Sequence, residues 1–503
     1  MLGPIVSQAA DYWGRKWFLV FLTLFGAVGS VIVARATSMN MAIGGFCVMG
    51  IAFGVQPLLH TVTSEVLPRR WRAYGQAADM VSNGLGTITG LLVGGALNRT
   101  NDPTKEGFRY YFYMAMAIYV FSAALCAVAY NPPATAKQGL SWKKKLSMLD
   151  WVGYVLLAAG LVLFCVALSW VKNPFDFSDP HVAATFAVGL FLALLLVAYE
   201  TFAKKDGMFH HGLFTGNRNF SVSLFCVFAE GVAFFAANVY FAFQVSVLYE
   251  TDAVLVGARY SLMSIASMLG ASLTGWYCAR TKKVRWITVL AFLIFVAFFA
   301  TQANTNRSSN SVVWGTPILL GAALGMTLTT LVTAAQLSTP PELIAVASGL
   351  IISVRSLGGT VGIAIYNAVF TDGMSKMPAN IAGAVVPAGL DPKNVPALVG
   401  ALVSHNQTAV AAVPGVTPEI AGQGVAALLD TFVASFKNVW ITASCFVALA
   451  AIGTSAIPSE PSDHDANTRP QLLYFCLTRR ASSICTLTLR WRRRRACTRL
   501  RTS

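Results

Sequence analysis

Apolar runs of about 20 residues recur from one end of this chain to the other, and each is long enough to cross roughly 30 Å of hydrocarbon as a helix. The runs are continuous and do not alternate with period two, so they imply helices and not the strands of a barrel. Only 12% of the 503 residues are charged, about half the share of a soluble domain. The chain therefore reads as an all-α polytopic membrane protein.

Between charged or Pro/Gly/Asn-rich breaks lie twelve complete spans, near 17–34, 42–62, 74–97, 110–129, 150–170, 182–202, 220–242, 258–278, 287–303, 314–334, 346–370 and 437–457. With Asp11–Lys16 in the cytoplasm, the inner loops carry 16 Lys/Arg and the outer loops 8, the bias expected of that orientation. It leaves the sequons at Asn98, Asn306 and Asn406 outside. Met1–Ala10 makes only about 15 Å of helix, so it reads as the inner end of a span whose outer half, with whatever preceded it, is missing. The outer segment 371–436 is rich in Ala, Pro, Gly and Val, and its last part, Val425–Phe436, is expected to form an amphipathic helix lying on the outer face before the final span.

The net charge of +16 does not point to nucleic acid, because ten arginines lie in residues 469–503 and leave +6 for the rest. That stretch contains neither lysine nor acid, and the break in composition reads as a tail that is not native. The alternative is a cluster, Arg492–Arg495, that holds anionic lipid. Six of the nine cysteines fall singly in apolar runs and three in the tail, with no metal-binding spacing. No nucleotide loop, dinucleotide fingerprint or zinc-protease motif occurs, so no cofactor, no metal and no enzymatic role are expected, and any transport would draw on a gradient.

Three ionisable groups stand inside spans, where burial costs about 2.5–3.5 kcal/mol each and marks a pathway: Glu230, Asp79 and Arg355. They are the candidates for proton coupling, Glu230 first because it is nearest the centre of its helix. Asp79 lies about five residues from the inner surface, within reach of headgroups. Arg355 either binds an anionic group or neutralises a carboxylate on a neighbouring helix. Gln56, His60, Asn238, Tyr240, Thr329 and Thr330 are the candidates for lining a central cavity. A shift of 272 residues sets Pro68 on Pro340, Gly86 on Gly358 and Gly90 on Gly362, the faint repeat of a two-halved transporter whose substrate sits between the halves.

Two motifs carry a resemblance. Asp11, Gly14, Arg15 and Lys16 follow a span end and resemble the D-x-x-G-R-K loop between spans two and three of the major facilitator superfamily, a gating latch built on a glycine turn, with Ser7 where that family carries glycine. Gly86, Gly90, Gly94 and Gly95 resemble the antiporter motif of span five, with Leu91 in place of its proline. Together with Gly358, Gly359 and Gly362 they are candidate helix-packing glycines.

Over about residues 1–457 the chain is similar to the fourteen-span drug:proton antiporter group, and through Gln336–Ile344, Arg355–Gly359 and Ile365–Asn367 to fungal trichothecene efflux pumps. The resemblance implies a major facilitator fold with twelve complete spans plus a remnant of span two. Residues 1–130 would form the N-terminal half, 131–219 a linker with two inserted spans, 220–457 the C-terminal half, and 458–503 the Arg-rich tail. It also implies a monomer in the plasma membrane that exports a hydrophobic secondary metabolite, toxin or drug in exchange for protons. The alternatives are a proton-coupled ferric siderophore importer, and an inactive truncated transporter or non-transporting sensor.

Overall fold

The computed structural model describes residues 2–455 except 69–70, 99–105, 133–135, 172–174, 177, 204–212, 214–217, 282, 340–342 and 405–406. The Arg-rich stretch 469–503 and the sequon asparagine Asn406 lie outside the described residues.

The described residues contain 12 helices long and apolar enough to cross a membrane. After α1 (Leu2–Trp13) come α2 (Arg15–Ala34), α3 (Met39–Ala52) running through a short 3-10 turn into α4 (Gln56–Val66), α5 (Arg72–Leu97) and α6 (Gly107–Ala129). A short α7 (Trp142–Met148) precedes the pair α8 (Trp151–Trp170) and α9 (Pro180–Ala198). The long helices α10 (Arg218–Leu248), α11 (Ala253–Thr281), α12 (Arg285–Ala303), α13 (Asn310–Leu337) and α14 (Ile344–Ser375) follow. Three short helices, α15 (Met377–Val385), α16 (Val395–Val403) and α17 (Gln407–Ala411), lead to α18 (Pro418–Ser455).

Small residues let these helices approach backbone to backbone, which is how apolar helices associate where water supplies no driving force. Along α5 and α11, Gly257 faces the carbonyl of Leu91 and Gly275 that of Ala73. Gly270 of α11 faces Ala322 of α13. α8 and α9 close on each other at Gly160 and Gly189, and their inner ends dock on α1 where Tyr154 and Leu196 pack with Ala9 and Tyr12. The largest core lies in the second half of the chain, where Phe298 and Phe299 of α12 pack on Trp440 of α18 and Phe292 and Phe295 extend the same row of rings. The Trp440 indole donates to Gln244 Oε1 at 2.9 Å, and Gln244 donates to Thr305 at 2.9 Å, while the Tyr366 hydroxyl of the same core has no hydrogen-bond partner among the described residues. Outward faces carry Phe121, Val128 and Ile452 exposed, as a lipid-facing surface requires.

The outer segment corrects one expectation. Val425–Phe436 does not form a separate helix, because α18 runs unbroken for 38 residues from Pro418 to Ser455. No proline or glycine falls between Val425 and the final span to break it. Its outer part packs with α15 and α16 around Ile381, Val385, Leu398, Leu402, Ile420 and Leu428. The apolar face that looked free to lie on lipid is spent on a small cap with its own core.

Candidate functional site

Glu230 and Arg355 stand 125 residues apart in sequence and meet across α10 and α14. Arg355 Nε donates to Glu230 Oε2 at 2.6 Å and Nη2 to Oε1 at 3.1 Å, a two-pronged pairing that fits the planar guanidinium to the carboxylate. Glu230 is fully buried. The guanidinium also lies over the rings of Phe234 and Phe235, at 4.7 and 5.8 Å from their centroids, both one turn along α10 from Glu230. Backbone contact brings the pair together: Gly231 sits against the carbonyl of Arg355, Gly358 against that of Phe228 and Gly362 against Val232. Any side chain at those positions would push the helices apart. Gly359 receives the ring of Phe235. Arg355, for which the sequence left two readings, is placed against a carboxylate on a neighbouring helix.

A second polar cluster joins α4 and α5 to α13 and α14. His60 Nδ1 lies 2.7 Å from Gln76 Oε1 and 3.5 Å from Asp79 Oδ2. Thr63 Oγ1 is 3.1 Å from each Asp79 oxygen. Asp79, half-buried, is thus held against α4, where the sequence left it free to reach headgroups. Gln336 of α13 donates to the His60 carbonyl at 3.4 Å and to Ser348 Oγ of α14 at 3.1 Å, and Arg72 donates to the Gln336 carbonyl at 3.4 Å.

The loop between α1 and α2 turns at Gly14, whose φ of 95° is in the left-handed region that a side chain disfavours. Asp11 accepts from Arg15 across that turn at 2.9 Å, and Lys16 donates to Asn131 at 2.6 Å. The aspartate is therefore paired within its own loop, and the lysine ties the loop to the chain beyond α6.

The model of the Major Facilitator Superfamily matches residues 1–363. The chain belongs to the major facilitator superfamily. Its relatives include the trichothecene efflux pump TRI12 of Fusarium sporotrichioides, 21% identical over 463 residues, which span 90% of this chain and 76% of that protein. The MFS-type efflux transporter ffsH of Aspergillus flavipes is 24% identical over 460 residues, covering 90% of this chain and 77% of that one. Multidrug resistance protein 3 of Bacillus subtilis is 24% identical over 377 residues, covering 73% and 69%. This is a family of membrane transporters and not of enzymes, and the chain is a multi-pass membrane protein that takes a small-molecule substrate.

Within this major facilitator transporter the four glycines of α5 do different things. Gly90 and Gly94 lie against Tyr111 of α6, and Gly95 against Ala253 at the start of α11. Gly86 is a correction to the packing expectation: a Cβ there would meet nothing within 4 Å, because it faces away from both neighbours. The six cavity candidates are dispersed. Tyr240 is buried against Tyr366 and Phe370, Thr330 donates back to Met326 of its own helix at 2.9 Å, and Asn238 accepts from the Tyr260 hydroxyl. Thr329 is buried with no partner for its hydroxyl among the described residues, Gln56 stands half-buried at the start of α4, and His60 belongs to the inner cluster. None of the six lines the cavities of ≈ 360 and ≈ 540 Å³ beside α14.

Several buried charges escaped the sequence reading, among them Asp150, Glu200 and Arg259. Arg259 of α11 is 1% exposed, stacks 4.6 Å above the Trp314 ring and reaches Glu250 at 3.5 Å. It stands near the end of an apolar run, where an arginine reads as an interface residue, and only the fold shows it covered. Phe234 and Phe235 were missed for a different reason, since aromatic residues in an apolar run carry no local mark. Their spacing of four and five from Glu230 was the one available signal.

Proposed function

We propose that the protein is a secondary active transporter of the plasma membrane that exports a hydrophobic metabolite, toxin or drug in exchange for protons. The observation that carries this is the Glu230–Arg355 pair, buried between two spans that move apart only if the pair is broken. A buried ion pair broken on one side leaves an uncompensated charge, a loss of about 3–5 kcal/mol. Protonating Glu230 would remove the countercharge of Arg355 and so favour a second arrangement of α10 and α14. Re-forming the pair on the other side would expel the proton. Proton binding and helix rearrangement are then one event, which is what coupling to a gradient requires. The sequence holds no nucleotide loop to serve as another energy source, and the names of three relatives speak of efflux or drug resistance, which supports the outward direction.

Accumulation of a trichothecene into inside-out vesicles tests the reading. A pH gradient should drive it in the unaltered protein, and Glu230→Gln should abolish the gradient-driven part while the protein remains in the membrane. An accumulation ratio that Glu230→Gln leaves unchanged would remove Glu230 from the mechanism. No response to the gradient in the unaltered protein would remove proton coupling altogether.

A further inference from the structure

The inserted helix α8 leans on α14, and the two leave a cavity of ≈ 360 Å³ between them. α8 contributes Cys165, Val166 and Ser169 to its wall, and α14 contributes Ile363, Ala364 and Asn367. The floor is Phe235, the same ring that lies 5.8 Å from the Arg355 guanidinium. A second cavity of ≈ 540 Å³ lies farther along α14, lined by Ala368, Val369 and Asp372 and by Asn438, Ile441 and Thr442 of α18.

The chemistry of the first wall is selective. Charged side chains are absent from its lining, so a charged ligand would lose its hydration without a partner. The hydroxyls of Ser169 and Thr360 donate to carbonyls of their own helices, which leaves only their oxygens to accept. Asn367 is different: its carboxamide makes no hydrogen bond among the described residues, so two donors and an acceptor stand unused in an otherwise apolar space. Apolar walls with one unspent amide fit a neutral, compact lipophile bearing a carbonyl or hydroxyl oxygen, and the volume lies in the range of small-molecule sites. Ser169 and Thr360 of its lining are exposed, so the cavity opens at the surface of the bundle.

We infer that this cavity between α8 and α14 binds the neutral, oxygen-bearing lipophile that the protein carries, and that Phe235 passes its occupancy to the Arg355–Glu230 pair. The inference rests on the proposed export function for the identity of the ligand as cargo. It gives the inserted pair of spans a role: α8 supplies one wall of a binding site. A molecule seated against Phe235 presses the ring that stacks on Arg355, so occupancy and the state of the ion pair are linked through one side chain.

Cys165 makes the site testable with N-phenylmaleimide, a neutral apolar molecule with two carbonyls, on the full chain in phosphatidylcholine vesicles with its other eight cysteines replaced by alanine. Cys165 should react at least tenfold faster with N-phenylmaleimide than with a sulfonated, charged maleimide. Ala364→Phe should slow the apolar reagent at least tenfold by filling the cavity. Asn367→Leu, of nearly the same size and safer for folding, should slow it several-fold by removing the amide. Once Cys165 is modified, hydrogen exchange in 228–236 should rise at least fivefold, and Phe235→Leu should cancel that rise. Equal reactivity toward the two reagents, a rate indifferent to Asn367→Leu, or unchanged exchange after modification would each overturn the inference. Flux is read in none of these arms. Failure of gradient-driven accumulation would therefore sink the transport reading alone, and an unreactive Cys165 beside intact accumulation would sink the cavity alone.

Discussion

Glu230 has its charged partner on another helix, and that dependence makes its substitutions unequal. Arg355→Ala leaves a fully buried carboxylate without its partner and should cost about 3–5 kcal/mol, read as a fall in the melting temperature of the protein in lipid nanodiscs. Glu230→Gln with Arg355→Gln replaces two charges by two amides that can bond to each other, so the double variant should recover most of that loss while remaining uncoupled from the gradient. If the double variant is as unstable as Arg355→Ala, the two side chains are not acting as a pair. The pair itself was half legible. Each charge stood out against its apolar run, but their meeting depends on how two helices are turned about their axes. Apolar residues surround both helices, so no amphipathic stripe in the sequence records that rotation.

At the scale of elements, the α10–α14 contact and the start of α9 make separate predictions. Gly358 faces the Phe228 carbonyl, whereas Gly86 faces open space. Gly358→Leu should therefore separate α10 from α14 and abolish gradient-driven accumulation, and Gly86→Leu should leave accumulation near that of the unaltered protein. Equal effects would mean that the two glycines are not distinguished by packing. The sequence singled out both positions by the same spacing, and only the neighbour across each one separates them. At α9, Asp179 caps the helix by accepting the His181 backbone N–H at 2.9 Å, with the His181 imidazole at 2.8 Å. The backbone hydrogen bond first, and then the imidazole, hold its carboxyl below the usual carboxylate range. A lowered folded-state pKa means that the cap is fully present above the ordinary carboxylate pKa and is lost only as pH falls through the lowered value. Amide exchange in the first turn of α9 should rise on acidification below that range, and Asp179→Asn, which still caps, should make it independent of pH.

Over the whole molecule, the outer cap is a small folded unit set on the transmembrane bundle. Arg307 pairs with Asp430 at its edge, and both are exposed, so breaking that pair should matter little, up to about 1 kcal/mol. Leu398 is fully buried in the cap core, and truncating such a residue costs about 2–5 kcal/mol. Protease digestion of intact vesicles should thus cut segment 377–417 no faster in Arg307→Ala and several-fold faster in Leu398→Ala. Faster cutting in Arg307→Ala alone would show that the cap is held by its rim and not by its core. The sequence read this region as an irregular outer segment ending in one surface helix, because its short helices are too brief to announce a period and their partners lie up to 51 residues away.

The sequence by itself determined the number of spans, their approximate ends and the family, because crossing a membrane is a local demand: about 20 apolar residues in a row satisfy it whatever surrounds them. It also grouped the loops by end, and the hydrogen bonds of Lys16 to Asn131 and of Arg72 to Gln336 join loops that the charge bias assigned to one side. Only the tertiary structure decided which groups meet. Glu230 with Arg355, Asp79 with His60 and Thr63, Phe235 with the cavity floor, and Gly86 with no neighbour are all outcomes of helix order and rotation. Those are set by backbone contact between small residues on different spans, and no residue's own neighbours in sequence carry that information.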